Sequence, residues 1–195
     1  MKNITLLAAL LGLAITAKAQ TDMPSTGGKV EKSLFNVQTG FAGLWVSSEL
    51  ALSNSVALRS ELGMEVWYYD SFWTDEKGAV LAPSLSVEPR WYYNIAKRDG
   101  KGKYTANNSA NFITLAVEFY PDLFLVGSAP SYVHIPNQIS FIPKWGMRRS
   151  IAHSNFNYEL GIGLGYLLIL DDDNRIQSTT DNLGVDLHLR IGYTF

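Results

Sequence analysis

The chain has 195 residues, no cysteine and a formal net charge of −2; 47% of its residues are hydrophobic and only 17% are charged. This composition excludes a disulfide framework, a thiolate metal site and the basic surface that nucleic acid requires. The charged fraction is below the ~25% of ordinary soluble domains. Beyond Ile15 no apolar run approaches the ~18 residues of a membrane-spanning helix, so the apolar residues must face either a core or lipid.

The N-terminus has the three parts of a secretory signal. Lys2 is followed by the apolar run Ile4 to Ile15, and Ala17-Lys18-Ala19 stands before Gln20. The run is well short of the ~20 residues of an anchor helix, so cleavage after Ala19 is expected. The chain then divides into a signal peptide (1–19), a flexible N-terminal segment (20–32, with Pro24, Gly27 and Gly28) and one domain (33–195).

From Ser33 onward the dominant period is two, which puts alternate side chains on opposite faces of a strand. In Leu34–Val46, Phe35, Val37, Phe41 and Trp45 oppose Asn36, Gln38, Gly40 and Ala42. Next, Val56, Leu58, Leu62, Met64 and Val66 oppose Arg59, Glu61, Gly63 and Glu65. Leu85, Val87 and Trp91 oppose Ser84, Ser86, Glu88 and Arg90, and Ile113, Leu115, Val117 and Phe119 oppose Thr114, Ala116 and Glu118. Ile139, Phe141, Trp145 and Met147 oppose Gln138, Ser140, Lys144 and Arg148. Phe156, Tyr158, Leu160, Ile162 and Leu164 oppose Asn157, Glu159 and glycines 161, 163 and 165. The last segment is the cleanest: Leu183, Val185, Leu187, Leu189, Ile191, Tyr193 and Phe195 alternate with Gly184, Asp186, His188, Arg190, Gly192 and Thr194.

A soluble antiparallel sheet with one wet face gives the same alternation. Its repetition over seven segments, most near the ~9–11 residues that cross a bilayer at a tilt, favours an antiparallel up-and-down transmembrane β-barrel. Connections at 52–55, 95–111 and 149–155 form one set; those at 69–78, 127–137 and 171–182 form the other. Single-chain bacterial barrels use an even number of strands. An eighth strand is therefore expected between Gly28 and Leu52, where the alternation is weakest. Pro83, Pro89 and Pro143 fall inside strands and each removes a ladder hydrogen bond, which bulges would absorb at Pro89 and Pro143.

In such a barrel the polar faces become a lumen. Glu61, Glu65, Glu88, Glu118, Glu159 and Asp186 would meet Arg59, Arg90, Lys144, Arg148 and Arg190 there, with His188 beside them. Glycines 161, 163, 165, 184 and 192 would leave these long side chains room. Eight strands enclose a space that side chains just fill, so a plugged barrel is expected rather than a pore. Leu85, Val87, Ile113, Leu115, Val117, Leu160, Ile162, Leu187, Leu189 and Ile191 would face lipid. Trp67, Tyr68, Trp91, Tyr93, Trp145, Tyr158, Tyr193 and Phe195 gather at strand ends as an aromatic girdle would, although aromatics are also common in strands generally.

The ending Tyr193-Thr194-Phe195 resembles the terminal aromatic signature of bacterial outer-membrane barrels, which implies recognition by the barrel assembly machinery. The stretches Phe35 to Phe41, Glu88 to Asn94 and Leu187 to Tyr193 resemble uncharacterised outer-membrane β-barrel proteins of Bacteroidetes type. That resemblance implies a fold and a location in the outer membrane, among its lipids, and no chemistry.

No cofactor, metal or catalytic site is expected. His153-Ser154-Asn155 with Glu159 nearby suggests the Ser/His/Glu site of lipid A deacylases, yet neighbours on an extended chain point apart, which makes His153 and Ser154 poor partners. His134 and His188 lack further zinc ligands. Asp171 to Asn174 lacks the glycine and distal glutamate of a calcium loop and reads as a solvated loop. Basic Lys97 to Lys103 reads as a solvated turn, or as a contact for phosphate head groups. Three functions follow: a monomeric barrel with a structural or surface-interaction role through Phe72, Trp73 and Tyr132; a membrane-embedded lipid hydrolase; or a secreted lipocalin-like binder, which would need its apolar face inside.

Overall fold

The computed structural model describes residues 27–71, 76–128, 130, 133, 135–170, 176–177 and 183–195. A period of two is incompatible with a helix that buries one stripe, and the chain accordingly runs as strands. These are β1 (Ser33–Gly40), β2 (Gly43–Ala51), β3 (Val56–Ser71), β4 (Glu76–Trp91), β5 (Asn111–Tyr120), β6 (Gln138–Ser150), β7 (Phe156–Leu170), the two-residue β8 (Ile176–Gln177) and β9 (Leu183–Thr194). Neighbours pair antiparallel, and β9 pairs with both β7 and β1. Because β8 only extends the tip of β7, the sheet is a closed up-and-down barrel of eight strands.

The eighth strand comes from the first segment, where the sequence shows one strand and the structure has two. Gly40 pairs with Gly43, so Phe41 and Ala42 form a two-residue hairpin turn. Gly43 has φ +152°, and a Cβ there would strike the Met64 carbonyl of β3; glycine is required by both conformation and space. The reversal also switches which parity faces out. Val37 is exposed on β1, whereas on β2 Leu44 and Val46 are exposed and Trp45 is 4% exposed. Trp45, expected on the apolar outer face, therefore points into the lumen.

Both ends of the barrel sheet lie at one end of the cylinder. Asn36 pairs with Thr194, and Thr194 N–H donates to the Asn155 carbonyl in the β6–β7 turn. The long connection after β4 folds over this end as helix α1 (Ile95–Asp99) and a 3-10 turn at Ala106–Asn108. Tyr92, Ile95, Ala110 and Phe112 pack there with Ala57 and Val30 into a buried apolar cluster that closes the cylinder. This explains why the connection exceeds a simple turn. The described part of the lead-in, 27–32, packs on this end: Val30 is in the cluster, and Glu31 N–H donates to Asn108 Oδ1 at 2.8 Å. Burial pushes the Glu31 carboxyl above its ordinary range, offset in part by the Asn107 N–H bonded to it. Residues 1–26, with the expected signal peptide, lie outside the described residues, as do Phe72, Trp73, Tyr132, His134 and Asp171 to Asn174.

The prolines sit where the ladder is already interrupted, without bulges. The β4–β5 register is the same on both sides of a gap at Glu88 and Pro89, and the β6–β7 register is the same across Ile142 and Pro143. Pro83 lies just beyond Leu85, where the β4–β5 ladder ends, so its missing N–H leaves no bond unmade on that side.

Strand lengths differ around the wall. The β1–β2 hairpin stops at Gly40 opposite Arg190 and at Gly43 opposite Glu65, while β3 and β9 continue toward the open end. Above the Phe41–Ala42 turn the wall thus has a gap two strands wide. It is bounded by β9 from Leu183 to Leu189 and by β3 from Trp67 to Ser71, which have no ladder partner on that side among the described residues.

Candidate functional site

Each charged residue assigned to the lumen from sequence lies on the inner face. Toward the closed end Arg59, Arg90 and Arg148 are fully buried, with Glu88 and Glu159 at 1% exposure or less. Glu159 is the hub. Its Oε2 accepts from Arg148 Nε at 2.8 Å and lies 3.4 Å from Arg59 Nη1; its Oε1 lies 2.9 Å from both Arg90 Nη2 and His188 Nε2. Glu61 pairs with Arg59 and accepts from Arg190 Nη1 at 2.7 Å, and Glu88 accepts from Arg90 Nε at 2.7 Å. Rings cover what carboxylates do not: Arg190 lies 3.6 Å over Trp45 and Arg90 lies 4.2 Å over Phe112.

The reading from sequence missed a second hub, Glu49. Its carboxylate pairs with Arg148 and accepts from Tyr92 Oη at 2.8 Å and Asn108 Nδ2 at 2.9 Å. Four guanidiniums (Arg59, Arg90, Arg148, Arg190) thus meet four carboxylates (Glu49, Glu61, Glu88, Glu159). Neutral amides extend the network: Gln38 Oε1 accepts from Arg59 Nη2 at 2.6 Å, and Asn157 Nδ2 donates to Thr194 Oγ1 at 2.9 Å. Ions this buried are tolerated only when each is paired and hydrogen-bonded.

The expected role of the glycines divides by height. A side chain at Gly192 would collide with Gln38, and one at Gly163 with Ile142 and the Pro143 carbonyl. At Gly165 and Gly184 a Cβ would meet only ordinary contacts or nothing, because these two border an open space. That space is a cavity of 290 Å³ toward the open end, lined in part by Trp67, Glu118, Tyr120, Gln138, Gly165, Gly184 and Asp186. The composition here differs from the closed end. Lys144 Nζ lies 2.8 Å from Asp186 and 4.0 Å from Glu118. Glu65 accepts from Trp45 Nε1 and Ser84 Oγ, both at 3.0 Å. Tyr120 Oη is 2.8 Å from Glu65 Oε2 and 3.0 Å from Glu118 Oε2.

The outer wall is apolar. Ile113, Leu115, Ile162, Leu187, Leu189 and Ile191 are 47–74% exposed, Val87 is 43% exposed, and Leu85, Val117 and Leu160 are half-buried on the same face. Aromatic rings collect around the closed end. Tyr193 stacks edge-on with Phe156 and Phe195, and Trp145 Nε1 donates to Tyr93 Oη beside Trp91. Tyr158 lies on the same outer face, and Tyr68 is exposed toward the open end. Trp67 is a correction to the girdle. It shares the parity of Glu65 and packs on Tyr120 at 5.4 Å inside the barrel, because the odd residues of β3 from Ala57 to Glu65 point inward.

The Ser/His pair is not assembled. His153 stacks on Tyr104 at 4.6 Å, Ser154 Oγ donates to the Ile151 carbonyl at 2.7 Å, and Glu159 is occupied by arginines in the lumen. Arg98 of the basic turn is tied down, donating to the Ser109 carbonyl at 2.9 Å, while Lys97, Lys101 and Lys103 are exposed. Among the described residues no group of His, Asp and Glu is disposed to hold a metal. No family model, curated protein or solved structure matches the chain.

Proposed function

We propose that this chain is a small outer-membrane β-barrel that acts as a structural or surface-interaction element, with a lumen filled by ion pairs. The observation that carries this reading is the sidedness of the wall. Aliphatic side chains from Ile113 and Leu115 round to Leu187 and Leu189 face outward, and the ionised residues are enclosed and neutralise one another. An exposed apolar surface of this extent is stable only against lipid or another apolar partner. The ring of Trp145, Phe156, Tyr193 and Phe195 supports the same reading, since such rings favour a membrane interface. Phe195 N–H donates to the Phe35 carbonyl beside the β1–β9 ladder, so the wall is closed there as a membrane barrel requires.

The ion-paired interior favours this reading over a lipocalin-like binder, and the engagement of His153 with Tyr104 and of Ser154 with the Ile151 carbonyl favours it over a hydrolase. The sealed closed end argues against conduction. Fractionation of expressing cells tests the reading. The protein is expected in the outer-membrane fraction as a band whose mobility on SDS gels changes on boiling. A soluble periplasmic or secreted product with unchanged mobility would overturn it.

A further inference from the structure

The gap above the Phe41–Ala42 turn stands beside the least neutral part of the lumen. A second cavity, of 90 Å³, runs from Phe41 and Leu187 at the outer wall to Glu65, Glu118, Tyr120 and Asp186 inside. Three of those four residues also line the larger open-end cavity. Both spaces therefore border Glu118, Tyr120 and Asp186, and the smaller one reaches Phe41 and Leu187 of the outer wall. Counting the three inter-strand spacings across the missing hairpin, the gap is roughly 14 Å along the wall.

Three features say what fits there. First, among the described residues Glu118 and Asp186 share Lys144, and Glu65 beside them is met only by neutral donors, Trp45, Ser84 and Tyr120; Arg190 is engaged by Glu61 and His188 lies against Glu159. Second, Tyr120 carries one hydroxyl proton and lies within hydrogen-bond distance of both Glu65 and Glu118, so it can donate to only one of them at a time. Third, Gln138 is 3% exposed, lines the cavity, and its Nε2 has no partner among the described residues; a buried amide N–H left unmatched is costly. The site thus lacks a cationic donor and, a few residues away, an acceptor oxygen. Outside it, Leu187 and Leu189 stay exposed on the apolar wall at the margin of the gap.

We propose that the gap is a lateral port for an amphiphile whose head carries an amine with a neighbouring oxygen. The ammonium sits among Glu65, Glu118 and Asp186, the head-group oxygen accepts from Gln138, and the alkyl chain lies outside along Phe41, Leu187 and Leu189. The port depends on the membrane reading for its supply of amphiphile, but its test does not.

The full barrel, folded in detergent micelles and checked by its heat-modifiable mobility, is titrated with N-dodecylethanolamine, dodecanol and dodecanoate while the fluorescence of Trp45 and Trp67 is followed. N-dodecylethanolamine is expected to bind roughly tenfold or more tightly than the other two, the size of one charge-assisted hydrogen bond. Glu118→Gln with Asp186→Asn should abolish that preference. Gly184→Phe, at a position where an added side chain meets nothing within 4 Å, should block the cavity without disturbing the fold. Equal affinity for all three amphiphiles, or binding unchanged in Gly184→Phe, overturns the port. An outer-membrane protein without amine preference sinks the port alone, and a soluble protein with that preference sinks the membrane reading alone.

Discussion

Replacing Glu159 by alanine is expected to destabilise the barrel by about 3–5 kcal/mol, the range measured when one member of a buried ion-pair network is removed. The side chain is fully buried and stands against Arg59, Arg90, Arg148 and His188. Its loss leaves guanidiniums facing one another in a space that water enters poorly, because the Val30–Phe112 cluster seals the nearer end. Glu159→Gln keeps the shape but not the charge and should fall between wild type and alanine. Adding Arg148→Met to Glu159→Ala should recover part of the loss, since removing a pair costs less than breaking one. Urea unfolding in micelles, followed by the heat-modifiable band, measures all three. An alanine variant as stable as wild type would mean that the network holds nothing together.

The second large effect concerns the other face. Leu187→Arg should impair insertion by ~2–4 kcal/mol if that position lies near the bilayer midplane, and less toward an interface. Leu187 is 74% exposed beside Ile162, its partner on β7, so an arginine there meets no steric obstacle and the whole effect comes from the surroundings of the wall. Comparing the fraction of each variant that inserts into lipid vesicles reads it directly. The same substitution in a water-soluble barrel would be neutral or would raise solubility, and wild-type insertion would count against lipid on that face.

Most of the barrel is legible in the sequence because a period of two leaves little freedom. Once Leu183 to Phe195 is taken as a strand, parity alone separates Asp186, His188 and Arg190 from Leu187, Leu189 and Ile191. Parity fails where the chain turns without announcing it. Phe41-Ala42 has none of the Asn, Asp or Gly that mark a two-residue turn; the signal lies in the flanking Gly40 and Gly43, which a strand reading absorbs as small residues, one on each face. Missing that turn carried Trp45 to the wrong face and ended the segment at Val46. Glu49 lies beyond that segment, although Leu44, Val46 and Leu50 alternate with Trp45, Ser47 and Glu49. Trp67 fails for a related reason, since a residue near a strand end reads as girdle until its parity with Glu65 is counted.

The closed end is not legible in the sequence because its packing is non-local. Val30, Ala57, Tyr92 and Phe112 come from four separate stretches, and nothing in the 20–32 segment alone distinguishes a tether from a tail. The gap in the wall is likewise a property of unequal strand lengths. It appears only when the end of the β1–β2 hairpin at Gly40 and Gly43 is compared with the continuation of β3 and β9.

The absence of cysteine makes the central claim open to one direct measurement. A single Leu115→Cys substitution, on β5 and 47% exposed on the outer wall, is labelled with an environment-sensitive fluorophore after folding into vesicles that contain brominated lipid. The sidedness described here predicts quenching by the brominated acyl chains and protection from aqueous iodide. Quenching by iodide with no effect of the lipid would contradict it.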